Sequence, residues 1–164
     1  MNLLPSLILL GSLALTLGCP RPGAPNIARN GEASQDSDLV PTSTAKYAID
    51  GDSQTISHTK RTSSNWWKVD LKYTYRVSNV ILTNRKDCCQ ERLIEAEVRV
   101  GNSPDNNNKV CGKVTSLDTL SFCCNGMVGR YVSVVIPTRA EYLTLAEVEV
   151  YGDLDTDYCR PYYW

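Results

Sequence analysis

Ile94-Glu-Ala-Glu-Val-Arg-Val-Gly101 alternates without a break. Ala96, Val98 and Val100 point one way; Glu95, Glu97 and Arg99 point the other. That is the period of a strand with one buried face. The pattern recurs on both sides of it. Upstream, Trp66-Trp-Lys-Val-Asp-Leu71 and Arg76-Val-Ser-Asn-Val-Ile-Leu-Thr83 are rich in aromatic and β-branched residues. Downstream, Arg130-Tyr-Val-Ser-Val-Val-Ile136 and the stretch 143–151 continue the theme. Turn formers separate these runs: Asp50-Gly-Asp-Ser53, the polar stretch 102–108, Asn125-Gly126 and Pro137. No stretch carries three turns of amphipathic helix, and no internal repeat is present. Several short strands so spaced predict an all-β fold, an antiparallel β-sandwich or jelly roll.

The ends of the chain differ in composition from this block. Residues 1–18 carry no charge and run almost continuously through Leu, Ile and Ala from Leu7 to Leu17. The run is short for a bilayer span, and Thr16-Leu-Gly18 offers small residues of the kind a signal peptidase reads. It reads as a secretory signal over 1–18, without the usual basic start; a retained membrane anchor and a lipoprotein site at Cys19 are the competing readings. Residues 19–25 form a Pro- and Gly-rich lead-in, 26–152 a single domain, and 153–164 a Tyr-rich tail. Seventeen Lys and Arg stand against eighteen Asp and Glu, for a net charge of −1. This balance gives no general attraction to nucleic acid or to an acidic membrane. No second apolar span argues for membrane insertion.

Seven cysteines in a secreted chain imply disulfides. They are Cys19, Cys88, Cys89, Cys111, Cys123, Cys124 and Cys159. With one histidine and no Cys-x-x-Cys, no spacing suits zinc. The adjacent pair Cys88-Cys89 stands out. Neighbouring Cα atoms lie about 3.8 Å apart, below the usual range for bridged cysteines, so joining them strains the backbone. Such strain gathers at functional sites, and the bridge would offer a ligand a flat, soft, apolar face. The alternative is that each pairs elsewhere, with Cys111, Cys123, Cys124 or Cys159.

That pair lies in Asn84-Arg-Lys-Asp-Cys-Cys-Gln-Glu-Arg92, directly after a strand and so on a loop at one end of the sandwich. Loops held by a rigid sheet are the usual seat of binding. Arg85 and Arg92 donate in a fixed planar fork, and Asp87 can hold one guanidinium by a charge-assisted bond. A surface salt bridge beside a disulfide is the plainer reading of the loop alone. Trp66-Trp67, in an alternating strand, reads as core packing rather than a sugar-stacking platform. Lys60 and Arg61 read as solvated charges.

The spacing decides between these readings. His58, the sole histidine, is followed after twenty-six residues by Arg85-x-Asp87, and after four more by Arg92. Together with Trp66-Trp-Lys-Val-Asp-Leu71, Gly129-Arg-Tyr-Val132 and Leu145-Ala-Glu-Val-Glu-Val150, this resembles the F-type lectin (fucolectin) family. The resemblance runs over 26–152. It implies a galactose-binding-domain-like jelly roll that binds terminal L-fucose on glycans of cell or pathogen surfaces. It implies that His58, Arg85 and Arg92 donate hydrogen bonds to the sugar, that Asp87 orients an Arg, and that a Cys88–Cys89 disulfide packs on the sugar's apolar face. It further implies Ca²⁺ beside the site, on the carboxylates of Asp50 and Glu147, on the carbonyls of Tyr47, Asp52 and Ala146, and on Thr55 in place of a serine. By the same resemblance Cys111 pairs with Cys124, leaving Cys123 with Cys159, or with Cys19 as a competitor. A homo-oligomer and a role in agglutination or innate immune recognition are implied too.

Two departures bear on this. The loop between Asp50 and His58 is shorter than in the family, which touches both the metal site and the pocket for the sugar methyl. A family disulfide is replaced by Ile56 and Ala146; both partners are missing together. Rival functions fare worse. Glycoside hydrolysis needs two carboxyls astride the bond, whereas this constellation offers donors. No nucleophile motif accompanies His58. A related module binding sulfated glycans or a protein through Lys60, Arg61, Arg85, Lys86 and Arg92 is the alternative, and its binding would fall steeply with salt.

Overall fold

The computed structural model describes residue 19 and residues 23–156. Residues 1–18, read above as a secretory signal, part of the lead-in, Cys159 and the tail from 157 lie outside the described residues. Ten strands are present: β1 (Glu32–Gln35), β2 (Ser57–His58), β3 (Thr62–Ser63), β4 (Trp66–Thr83), β5 (Glu97–Gly101), β6 (Lys109–Lys113), β7 (Leu120–Val135), β8 (Ala140–Glu141), β9 (Thr144–Leu145) and β10 (Glu147–Leu154). Every pairing between them is antiparallel. Helical structure among the described residues is confined to single 3₁₀ turns at Ile27–Asn30, Ala45–Ala48 and Gln90–Leu93. The all-β jelly roll expected from the alternation is what the chain adopts.

Two long strands organise it. The first half of β4, Trp66 to Asp70, pairs with β1 on one side and with residues 131–135 of β7 on the other. Its second half, Tyr75 to Leu82, pairs with β10 and with residues 120–129 of β7. The sequence reads β4 as two strands, and the reason is a change of parity. Trp67, Val69, Leu71 and Val77 are buried at odd positions, but Val80 and Leu82 are buried at even ones. The register between β4 and β7 shifts between Asp70 and Tyr75 and again between Val77 and Asn79. Such bulges bend a strand and re-aim its faces, so one strand serves two halves of the fold. Asn125-Gly126, which reads as a break, lies inside β7, where both residues take positive φ (52° and 75°) at the second irregularity.

The core collects the inward faces: Trp67, Val69, Leu82, Val98, Val100, Val132, Val134, Leu145 and Val148, all at most 1% exposed. Ala96, Val98 and Val100 are inside, as their alternation predicts. Glu97 is buried as well, with Arg99 Nη2 at 2.6 Å and Lys113 Nζ at 3.1 Å on its carboxylate. A carboxylate so paired escapes most of the cost of burial. Trp67 belongs to the core, whereas Trp66 lies half-buried on the outer face with Lys68 Nζ 5.0 Å above its ring. At the end of β10, Gly152 is required: a Cβ there would come within 2.5 Å of the Arg76 carbonyl. β10 runs on to Leu154, two residues into the segment read as tail.

Candidate functional site

The short strands do the positioning. β2 pairs with β9 and β3 with β8, so the segment 140–145 straps down the segment that carries His58. The His58 backbone donates to Ser43 O (3.0 Å) and accepts from Leu39 N (2.8 Å), and Thr59 N donates to Leu143 O (3.0 Å). His58 is thus fixed by two separate stretches of chain, 39–43 and 143–145. Its Nδ1 lies 2.8 Å from Thr59 O. A carbonyl only accepts, so Nδ1 carries the hydrogen, and in the neutral ring Nε2 is an acceptor. Burial, and then the nearby charges of Arg85 and Arg92, hold the imidazole below its ordinary 6.5, although the bond to Thr59 works the other way. With Nδ1 on Thr59 O, the nitrogen left for a ligand in the neutral ring is Nε2.

A guanidinium comes from the loop after β4. Arg85 donates from Nε to Asp87 Oδ1 (2.8 Å) and from Nη2 to Asp87 Oδ2 (2.5 Å). The arginine is mostly covered and the aspartate mostly exposed, at 11% and 69% for their side chains. The fork leaves the Nη1 hydrogens for a ligand. The hydrogen bonds from Arg85 bring the Asp87 carboxyl down to about 2, so it stays ionised at any physiological pH. Cys88 and Cys89 are joined, with Cα atoms 3.8 Å apart, and Cys89 takes φ 62°. This left-handed residue turns the chain into the 3₁₀ turn Gln90–Leu93, which presents Arg92.

Three further residues belong to this site. The Tyr142 ring packs edge-on to His58 with centroids 5.5 Å apart, and the Arg92 guanidinium lies 4.8 Å from the same ring's centroid. One aromatic side chain therefore sets the distance between the imidazole and the Arg92 guanidinium, and its face attracts the guanidinium. Glu141 Oε1 stands 3.9 Å from Arg92 Nε. Arg139 Nη2 donates to Arg92 O (2.7 Å) and Ile94 O (2.6 Å), pinning the turn that carries Arg92. Lys60 and Arg61 are exposed, and the Lys60 backbone joins its own turn through Ser37 and Asn65.

Beside His58 lies an all-oxygen cluster. Thr55 Oγ1 is 2.9 Å from Asp50 Oδ2, 2.9 Å from Asp52 O and 3.4 Å from Tyr47 O. Gly51, at φ +78°, donates its N–H to Glu147 Oε2 (3.1 Å), and the Arg29 guanidinium occupies the space a Cβ would need there. Glu147 Oε1 is buried with no hydrogen-bond partner. Burial, and secondarily the Asp50 charge, push the Glu147 carboxyl up to about 7. Ala146 is buried, its N–H on Thr83 O at 3.0 Å. Among the described residues no three His, Cys, Asp or Glu side chains cluster as a metal site. A cation here would rest on two carboxylates, carbonyls and a hydroxyl. Hard oxygen donors of that mix, with one orphaned carboxylate oxygen, fit Ca²⁺.

Residues 47–134, more than half of the chain, match the family described as NedA-like, galactose-binding domain. The pentraxin fusion protein of Xenopus laevis is 43% identical over 143 residues, covering 80% of this chain and 34% of its own length. Fucolectin of Anguilla anguilla is 37% identical over 145 residues, covering 78% of this chain and 91% of its own. A crystal structure of an F-lectin (fucolectin) from Morone saxatilis serum superposes with a TM-score of 0.74 at 46% identity, over 80% of this chain and 48% of that one. The chain thus spans about a third of the frog protein and about half of the striped-bass chain. With matches of this identity along nearly the whole eel protein, the chain belongs to the fucolectin family of F-type lectins.

Proposed function

We propose that this protein binds terminal L-fucose at the His58–Arg85–Arg92 site and acts as a lectin, not as an enzyme. One observation carries the reading. His58 and the Arg92 guanidinium meet at the Tyr142 ring, with Arg85 near enough for its charge to act on the imidazole, and the neutral ring and the two guanidinium groups offer complementary hydrogen-bonding senses. A sugar hydroxyl has one hydrogen and two lone pairs. His58 Nε2 takes the hydrogen, and guanidinium N–H groups of Arg85 and Arg92 fill the lone pairs. An axial hydroxyl held this way is saturated; an epimer that places it elsewhere leaves three polar groups unpaired. The bridge supplies an apolar face for the ring. The cavity next to His58, walled by Leu39, Val40 and Ile56, supplies room for a methyl group.

In this reading Ca²⁺ is held by Asp50 and Glu147 with Thr55, Tyr47, Asp52 and Ala146. Its chemistry is structural: a charge that ties the 47–55 loop to β10. Hydrogen bonds to charged groups contribute roughly 1.5–3 kcal/mol each, and association takes back several. A single site is therefore weak. Recognition of fucosylated cell or pathogen surfaces, in agglutination or innate immunity, would come from a secreted homo-oligomer with several sites.

Calorimetric titration with L-fucose tests the reading. Saturable heat with one site per chain is expected, reduced when calcium is removed by chelator. No heat at millimolar fucose from a folded, oxidised sample overturns it; equal heat with chelator removes the metal from it. The site also predicts a pH profile. At saturating calcium, binding is flat at neutral and alkaline pH and is lost in acid, with a midpoint below 6.5 set by His58. Below that point Nε2 carries a proton, three donors face one hydroxyl, and its hydrogen has no acceptor. Affinity that held constant far below the ordinary imidazole range would show that His58 does not accept from the sugar.

A further inference from the structure

Among the described residues, Cys19 and Cys123 are the cysteines outside a disulfide. They stand far apart in sequence and meet at one irregularity of the sheet. Where β4 and β7 shift register, Ser78 alone faces residues 124–126 of β7. Its hydroxyl donates to Tyr151 O at 3.1 Å, and its carbonyl accepts from the Cys19 thiol at 2.8 Å. The backbone of Asn125, on the β7 side of the bulge, acts on the same thiol in the opposite sense to burial. Cys123 is the register partner of Asn79, the residue after Ser78, and its thiol adds to burial in raising the Cys19 pKa. Strand alternation keeps the neighbouring cysteine out of the question. Cys124 faces the core and is joined to Cys111 across a Cα separation of 5.1 Å, while Cys123 points the other way and is exposed.

We propose that Cys19 and Cys123 form a third disulfide, which fastens the N-terminal lead-in onto the β4–β7 bulge. The bulge is the receptor for it: the Ser78 carbonyl, at the register shift, holds the Cys19 sulfur one residue from the register partner of Cys123. As the S–S bond forms, the two thiols give up two protons and two electrons. An incoming disulfide of the oxidoreductase or glutathione class takes them and becomes two thiols. Exposed Cys123 attacks that disulfide first, and Cys19, already in place, resolves the mixed intermediate. The pairing replaces the Cys123–Cys159 bridge expected from the sequence. Of seven cysteines, it leaves Cys159 as the odd one.

The test is disulfide mapping on the full chain made through an oxidising secretory pathway. Wild-type protein and Cys19→Ser are alkylated without reduction, digested and sequenced by fragmentation that cleaves S–S bonds. In the wild type, a fragment holding Cys19 is expected in linkage to Cys123, with no alkyl label on Cys123. In Cys19→Ser, Cys123 takes the label while Cys88–Cys89 and Cys111–Cys124 remain closed. Cys123 linked to Cys159, or labelled in the wild type, overturns the assignment. The wild-type map decides even if Cys19→Ser fails to fold.

Discussion

Arg85→Ala lowers affinity for L-fucose by about 100-fold or more, which takes it below detection in a calorimeter. The variant removes guanidinium donors that face the ligand, each roughly 1.5–3 kcal/mol when the donor is charged. Two such bonds amount to two or more factors of ten at about 1.4 kcal/mol per factor. Folding should be untouched, because Arg85 sits on a loop and its ion-pair partner, Asp87, is largely in water. Arg85→Lys is expected to fail nearly as badly: a point charge cannot donate twice to Asp87 and still present hydrogens in a fixed plane. Asp87→Ala should fall between, since Arg85 keeps its charge but loses the fork that aims it. Affinity within threefold of wild type for Arg85→Ala, in a sample with unchanged thermal unfolding, would place the sugar elsewhere.

What the sequence disclosed, and what it hid, divides by the range of the interaction. Ala96, Val98 and Val100 announce a buried face because alternation is local, and all three are in the core. β4 reads as two strands because bulges at Asp70/Tyr75 and Val77/Asn79 change which parity is buried, and a bulge has no residue signature of its own. Asn125-Gly126 reads as a turn because it has a turn's φ preferences; here those preferences serve a bulge within one strand. At the site, His58, Arg85 and Arg92 were legible through their spacing and flanking residues. Tyr142, Glu141 and Arg139 were not. Glu141 lies in a two-residue bridge and Arg139 and Tyr142 flank it, in a segment whose pairing partners are some eighty residues away, β2 for β9 and β3 for β8. Nothing within 139–145 alternates long enough to mark it. The tautomer of His58 was equally hidden, since it depends on which side of the ring Thr59 O lies. The structural residue most obvious in the sequence, Trp67, is nevertheless tied to this site.

Trp67→Ala destabilises the fold by about 3–5 kcal/mol, enough to leave much of the chain unfolded near physiological temperature. Trp67 is fully buried, and a cavity of that size cannot close around Val69, Val132 and Val134, which are held in paired strands. Trp67→Phe separates bulk from polarity. It keeps most of the apolar volume but removes the indole N–H that donates to Ala45 O at 2.9 Å. That carbonyl is then buried without its partner, at a cost of about 1–3 kcal/mol. Ala45 opens the 3₁₀ turn Ala45–Ala48, which carries Tyr47 and leads into Asp50. Loosening it disperses the oxygen cluster around Thr55. Urea unfolding should therefore show Phe between wild type and Ala. The gain in stability from added calcium should shrink in Phe as well, because the turn must be re-formed before the ion is held. Equal calcium stabilisation in Trp67→Phe and wild type would mean that the ligand loop is held by Thr55 and Asp50 alone, and that the core does not reach the site through Ala45.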